Sequence, residues 1–442
     1  MHKKQCIYGV WGIYLCLVLI FIMIGRSAMA ADKIPLEDLL VEKGVLTEED
    51  AGKIQKTVLT KWVDQLAFFG DTRVRDEELF ANNNADGSLN GGEDQNRVRF
   101  RLRLNAKFKI SDMTVGIQVA SGNGGATGTN QTESNLFTQK GLWINRAYIS
   151  WQGSSTKWLK LTAGKMANPF FVLYSGDLVW DADVNPEGFS ENLTGSPSER
   201  VTLFLNTGQF VLNEVSTDNH DQWLFGQQGG VSVEPRDGLK TTLAVADYDF
   251  VNVDRPNSVG ATTACGLGQN PTQQGNTRAT CPVGTGTYLL NKFNVLDATA
   301  LVNVQAGPIP VALMGDYVRN LSNTTLTGTK TGPATGNEGY QVGAIVGKAA
   351  DAHTWEVAYF YKVSQTDATV ADIADSDFGS GGTAHRGHII WGAYNLTKYF
   401  QMKVKYFMTK SIAPVATTQS GCNTTLGCGD INRLQADMEV KF

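Results

Sequence analysis

Proline is scarce in this sequence, with 12 residues in 442, and beyond Gly25 no run of about 18 apolar residues occurs. The second absence excludes a membrane-spanning helix from the rest of the chain. Cysteine is also sparse. Cys6 and Cys16 fall in the first thirty residues, and Cys265, Cys281, Cys422 and Cys428 have neither C-x-x-C spacing nor a nearby histidine. A zinc-ligand pattern and a haem attachment motif are therefore missing, and neither metal nor cofactor is expected. The only dense histidine group, His385-Arg386-Gly387-His388, would put its two rings on opposite faces of an extended segment. G-x-S-x-G, phosphate-loop and zinc-protease motifs are lacking as well, so the chain is not read as an enzyme. Net positive charge is the last absence. The charge of −5 becomes −8 once Lys3, Lys4 and Arg26 leave with the leader proposed below, which makes a poor nucleic-acid binder.

What is present begins with an export signal. Lys3 and Lys4 precede an apolar segment from about Ile7 to Gly25, and Ala28-Met29-Ala30 stands before Ala31. This layout predicts a signal peptide over residues 1–30; the alternative is an uncleaved anchor. Residues 31–65 predict a periplasmic helical hairpin. LEDLLVEKG stops at Gly44, Thr47 caps a second helix, and Ala51, Ile54, Val58 and Trp62 recur at helical spacing. In an exported chain the pairs Cys265–Cys281 and Cys422–Cys428 read as disulfides within loops.

From Leu66 onward the period changes to two. In RVRFRLRLNAKFKI, Arg97, Arg99, Arg101, Arg103, Lys107 and Lys109 share one parity, while Val98 to Ile110 hold the other with apolar residues only. One face of such a strand is a ladder of positive charge and the other is wholly apolar. Similar segments recur about sixteen times, with tight turns at Ser111-Asp112, Thr207-Gly208 and Gly307-Pro308 alternating with long Gly- and Asn-rich loops. Two of the expected strands, 199–206 and 209–216, flank Thr207-Gly208. A soluble sandwich has no reason to sort its loops by length. Insertion into an outer membrane does, because turns stay periplasmic and loops cross. Residues 66–442 are therefore expected to close into an all-β, antiparallel transmembrane barrel in outer-membrane lipid.

The last strand, RLQADMEVKF, places Leu434, Ala436, Met438, Val440 and Phe442 on one face and ends on the aromatic. It resembles the assembly signal of bacterial outer-membrane proteins, which implies the barrel assembly machinery as a partner. FFGDTRVRDE near the start, and RAYISWQ followed by LTAGKMANPFF, resemble the putative porin family of proteobacteria. The resemblance covers about Leu66 to Phe442. It implies a homotrimer of water-filled channels that pass small hydrophilic solutes and ions down their gradients. The alternatives are a barrel hydrolase, which would place a Ser or Asp near His353, His385 or His388, and a blocked structural or adhesin barrel.

Charge marks a candidate filter. Arg73 and Arg75 share the inward parity of the first strand with Asp71, beside the Arg97 to Lys109 ladder. The third long loop, expected over residues 167–196, carries Asp177, Asp181, Asp183, Glu187 and Glu191. In general porins the third loop folds into the barrel, so the resemblance implies these acidic residues facing the basic wall. The alternative is an acidic loop that faces only solvent.

Overall fold

The computed structural model describes residues 65–81, 94–173, 178–214, 220–254, 275–281, 287–322, 336–412, 422–423 and 427–442. The leader and the expected helical hairpin lie outside them. Sixteen strands form the wall: β1 (Leu66–Ala81), β2 (Gln95–Ile110), β3 (Met113–Ala120), β4 (Trp143–Trp151), β5 (Leu159–Lys165), β6 (Glu187–Ser198), β7 (Val201–Asn213) and β8 (Gln222–Arg236). They continue with β9 (Leu239–Val251), β10 (Phe293–Ala306), β11 (Ile309–Asn320), β12 (Glu338–Gly347), β13 (Trp355–Ser364), β14 (His385–Asn395), β15 (Phe400–Ser411) and β16 (Asp430–Lys441). Each pairs antiparallel with its sequence neighbours, and β16 returns to β1 with Arg75 opposite Asp437. Among the described residues, closure leaves the sixteen-stranded wall without an unpaired edge, as a lipid environment demands.

Connections alternate as the sequence predicts. Two-residue turns at 111–112, 199–200, 237–238 and 307–308 lie at one end, and long connections such as 121–142, 166–186 and 365–384 lie at the other. Gly238 and Gly307 sit at φ 77° and 62°, a left-handed backbone that glycine adopts without a Cβ clash.

One turn is elsewhere. Thr207-Gly208 does not reverse the chain; it lies mid-strand in β7, opposite Ser190 and Glu191 of β6. The reversal is at Glu199-Arg200 instead, so the strands expected at 199–206 and 209–216 merge into the one strand β7, and β6 is formed by residues expected to be part of the third long loop. A Cβ on Gly208 would stand 2.3 Å from the Phe210 ring. Its glycine makes room for an aromatic, which is the other reason for glycine inside a strand.

The interior is divided. The inward faces of β7 to β11 carry Phe210, Leu224, Tyr248 and Val295, packed against Phe170, Leu178 and Trp180 of loop 166–186. Phe360, Ile389, Trp391 and Phe407 on β13 to β15 pack against Leu173 and against Phe378 of loop 365–384. Apolar residues thus occupy the lumen side of half the wall. There they exclude water and seat two long loops inside the barrel. Polar lumen remains beside β15, β16 and β1 to β5.

Candidate functional site

The basic ladder lies on this polar side. Its charges are already matched, however. Arg97 and Glu77 form an ion pair, and Arg99 Nη1 is 3.6 Å from the same carboxylate. Asp71 accepts from Arg101 Nε and Arg103 Nε at 2.8 Å each. Arg75 makes a two-pronged contact with Asp437 at 2.7 and 2.9 Å, and Arg73 Nη1 lies 3.6 Å from the same group. Glu439 stands 3.4 Å from Arg101. Lys107 lies 5.2 Å from the centre of the Phe69 ring, and Lys109 is exposed. What reads as a bare positive ladder is a lattice of alternating sign. It is made by Asp71 and Glu77 of β1 itself and by Asp437 and Glu439, which β16 brings beside the arginines when it closes against β1.

Loop 166–186 is seated inside the barrel, and its acidic residues differ in placement from the expected arrangement. Asp183 Oδ1 lies 3.6 Å from Arg103 Nη1. Asp181 lines the same cavity, but its two oxygens accept the backbone N–H groups of Asp183 and Ser376, each at 2.8 Å. It therefore ties two loops together. Asp177 lies outside the described residues. Glu187 and Glu191 are not loop residues: both belong to β6, and Glu187 pairs with Lys165 at 2.6 Å.

A second inward loop, 365–384, escaped the sequence reading. Asp377 Oδ1 accepts from Arg433 Nη1 at 2.8 Å, and its other oxygen lies 3.3 Å from Arg75 Nη1. Asp375 accepts from Lys362 Nζ at 2.9 Å. Burial pushes both carboxyls up, yet Arg75 and Arg433 hold Asp377 well below its ordinary range, and Lys362 brings Asp375 down. The sequence signal was the alternation Asp372, Asp375, Asp377 in a Gly-rich stretch, which by itself does not say what the loop faces.

Between loops and wall lies a cavity of about 290 Å³ lined by Arg73, Arg101, Lys403, Lys405, Lys441, Asp181, Asp183 and Asp375. Lys403 Nζ is 4.6 Å from the Trp391 ring centre and Lys405 Nζ 4.4 Å from that of Phe407. Both lysines project inward from β15 and are absent from the wall expected on β1 and β2. Their parity in FQMKVKYFMT was legible, but their proximity to the loops was not.

The histidines offer little chemistry. His385 faces inward and His388 outward, as the extended reading requires. Ser380 Oγ is 3.1 Å from His385 Nε2, the pairing a hydrolase would use, but the Ser380 backbone N–H points at the same nitrogen from 3.3 Å and His385 is 3% exposed. His353 and His388 contact the hydroxyls of Tyr394 and Tyr359.

A closed sixteen-stranded barrel with inward loops and a charged, water-accessible passage defines a β-barrel channel of the outer-membrane type. A family model described as "Putative porin" matches residues 79–442, and the chain belongs to that family. Among solved structures, Pseudomonas putida OprB at high pH matches over 89% of this chain and 97% of its own, at 9% identity and a TM-score of 0.51, and so shares the fold. Salmonella typhi OmpF in complex with daunomycin matches over 85% and 97%, at 12% identity and a TM-score of 0.47. No curated protein matches the sequence. Such a chain forms a porin channel, a β-barrel of the outer membrane.

Proposed function

We propose that solutes are filtered in the cavity between β15, β16, β1 and β2 on one side and loops 166–186 and 365–384 on the other. One observation carries this reading. The cavity is lined by cations from the wall and by carboxylates from both loops, so a solute passing it crosses a field between groups of opposite sign. In confined water that field is screened less than in bulk. The arginines of β1 and β2 share their field with Asp71, Glu77, Asp437 and Glu439, and Lys403 and Lys405 of β15 add to the basic side. Planar-bilayer recording in a salt gradient tests this. Replacing Lys403 and Lys405 by glutamine should move the reversal potential toward cations, and an unchanged potential rejects the filter.

The same reading includes a mature chain starting at Ala31, assembly machinery acting on the Phe442 terminus, and a homotrimer in outer-membrane lipid.

A further inference from the structure

A second cavity, of about 480 Å³, opens on the inward faces of β1 to β7 beside loop 166–186. Cross-strand register assembles its lining: Asn105 stands opposite Gln118, which faces Arg146, and Lys160 stands opposite Asn192, which faces Asn206. Lys107 and Lys160 lie near the turn ends of β2 and β5. This chamber differs in kind from the filter, where both signs of charge meet. Lys107, Arg146 and Lys160 line it together with five amide side chains, and among the described residues no carboxylate does.

The three cations are not spent on carboxylates of the chain. Lys107 Nζ lies over the Phe69 ring, 5.2 Å from its centre, and Arg146 Nε donates to Asn185 Oδ1 at 2.6 Å. Lys107 and Lys160 are exposed to the lumen and close enough to feel each other's charge. Asp183, whose charge reaches Arg146, stands 3.6 Å from Arg103. The amides, in contrast, are held in place by one another. Gln118 Nε2 donates to Asn105 Oδ1, and Asn145 Nδ2 to Gln118 Oε1, at 2.6 Å each. Asn192 Nδ2 donates to Asn206 Oδ1 at 2.8 Å, and Asn206 Nδ2 to Gln228 Oε1 at 3.1 Å. A carboxamide has two N–H donors and two acceptor lone pairs, so Gln118 and Asn206 keep capacity for a solute hydroxyl. Fixed beforehand, they bind one with little further ordering.

We propose that this chamber is a binding subsite for small organic anions that carry hydroxyl groups, the chemistry of a sugar acid. The anionic end meets Lys107, Lys160 and Arg146, and the hydroxyls meet the amides of Gln118 and Asn206. The volume falls in the range of about 300–1,000 Å³ that encloses a small molecule. A neutral polyol forgoes the attraction of the cations, and a carboxylate without hydroxyls forgoes the amides, so each is held less well. The proposal deepens the porin reading, on which its part in transport rests, by naming a class of solute. Passage requires binding that favours entry and still permits exit, which lysines exposed to water provide.

Single-channel recording in dilute salt tests this, with gluconate as the probe and glucose and propionate as controls. Gluconate should interrupt the current at concentrations about tenfold below either control. K107Q/K160Q should raise the gluconate concentration needed by about tenfold and leave the glucose response as it is. K403Q/K405Q, which alters the filter, should change the gluconate response much less. Heat-modifiable mobility on gels shows that each variant has folded. Equal interruption by gluconate and propionate reduces the chamber to a pool of mobile counter-ions and overturns the proposal. So does equal interruption by gluconate and glucose, or an unchanged gluconate response in K107Q/K160Q. Calorimetry of gluconate binding to the detergent-solubilised barrel separates the two readings. Binding without conductance ends the porin reading and keeps the subsite, whereas conductance without a preference for gluconate refutes the subsite alone.

Discussion

Phe442 closes the barrel over Gly70. Each residue's backbone N–H donates to the other's carbonyl, at 2.8 and 3.0 Å, and a Cβ on Gly70 would lie 2.9 Å from the Phe442 ring and 2.4 Å from the Arg103 carbonyl oxygen. The first and last strands thus meet at a point where a side chain is excluded. The carbonyl cannot swing aside without breaking the β1–β2 ladder, so G70V should reduce the thermal stability of the folded barrel, by roughly 1–3 kcal/mol. Heat-dependent gel mobility measures it. Deleting Phe442 removes one of the two ladder bonds' owners and its aromatic cover, and should lower the amount of assembled barrel in outer membranes with little effect on synthesis.

Asp377 should act as a clamp for loop 365–384. In D377N, Arg75 and Arg433 lose a shared anion while Arg75 keeps Asp437. Noisier single-channel current and a loss of about 1–3 kcal/mol of stability are expected, toward the low end because the group is partly exposed. A quiet channel of unchanged stability would show that the apolar contacts of Phe378 hold the loop unaided.

The same group sets an acid response. Its carboxyl is held well below the ordinary value of about 3.9. A depressed folded-state pKa contributes stability that is full above the unfolded value and is lost only as pH falls through the folded one. The clamp should therefore persist through pH 5 and weaken only below about pH 4. Wild-type current noise should rise there, whereas D377N should already be noisy at neutral pH. Identical pH profiles would exclude Asp377 as the titrating group.

Neutralising the filter should move selectivity in opposite directions. Unit charges about 8 Å apart interact by roughly 2 kcal/mol at an effective dielectric near 20, enough for severalfold discrimination after partial screening. K403Q/K405Q and R99Q/R101Q should both shift the reversal potential toward cations, the second because it uncovers Asp71 and Glu77. D183N should shift it toward anions. K109Q, an exposed position away from the cavity lining, should change it least.

The cysteines should form two local disulfides, Cys265–Cys281 and Cys422–Cys428. Backbone register places Cys422 directly opposite Cys428 in a short two-stranded ladder, and Cys265 lies outside the described residues. A bridge closing about 15 residues contributes around 3 kcal/mol in the chain-entropy model, ordering a loop rather than the barrel. Non-reducing peptide mapping that finds free thiols or a pair joining the two loops would refute the assignment.

The period-two alternation by itself determined the barrel. Arg97 to Ile110 alone would suit a soluble sandwich as well, with its apolar face on a core; repetition of the pattern along the chain and the alternation of short and long connections pointed to the barrel. Side-chain direction in a strand follows from parity alone, so the common face of Arg73, Arg75, Arg97, Arg99, Arg101 and Arg103 could be read from the sequence. Whether Thr207-Gly208 turns or continues could not be read, because glycine serves a turn and a close aromatic contact equally well. Folding chose the second when the Phe210 ring covered the gap. The partners of the ladder were equally hidden. Glu77 and Asp437 are 360 positions apart, and only closure of β16 on β1 brings them to the same arginines. The inward seating of loop 365–384, and hence the contribution of Asp375 and Asp377 to the passage, depends on Phe378 meeting Phe360 and Trp391. Contacts of that kind join residues from separate strands, and the third dimension decides them because burial of apolar area rewards proximity in space, which the order of residues does not encode locally.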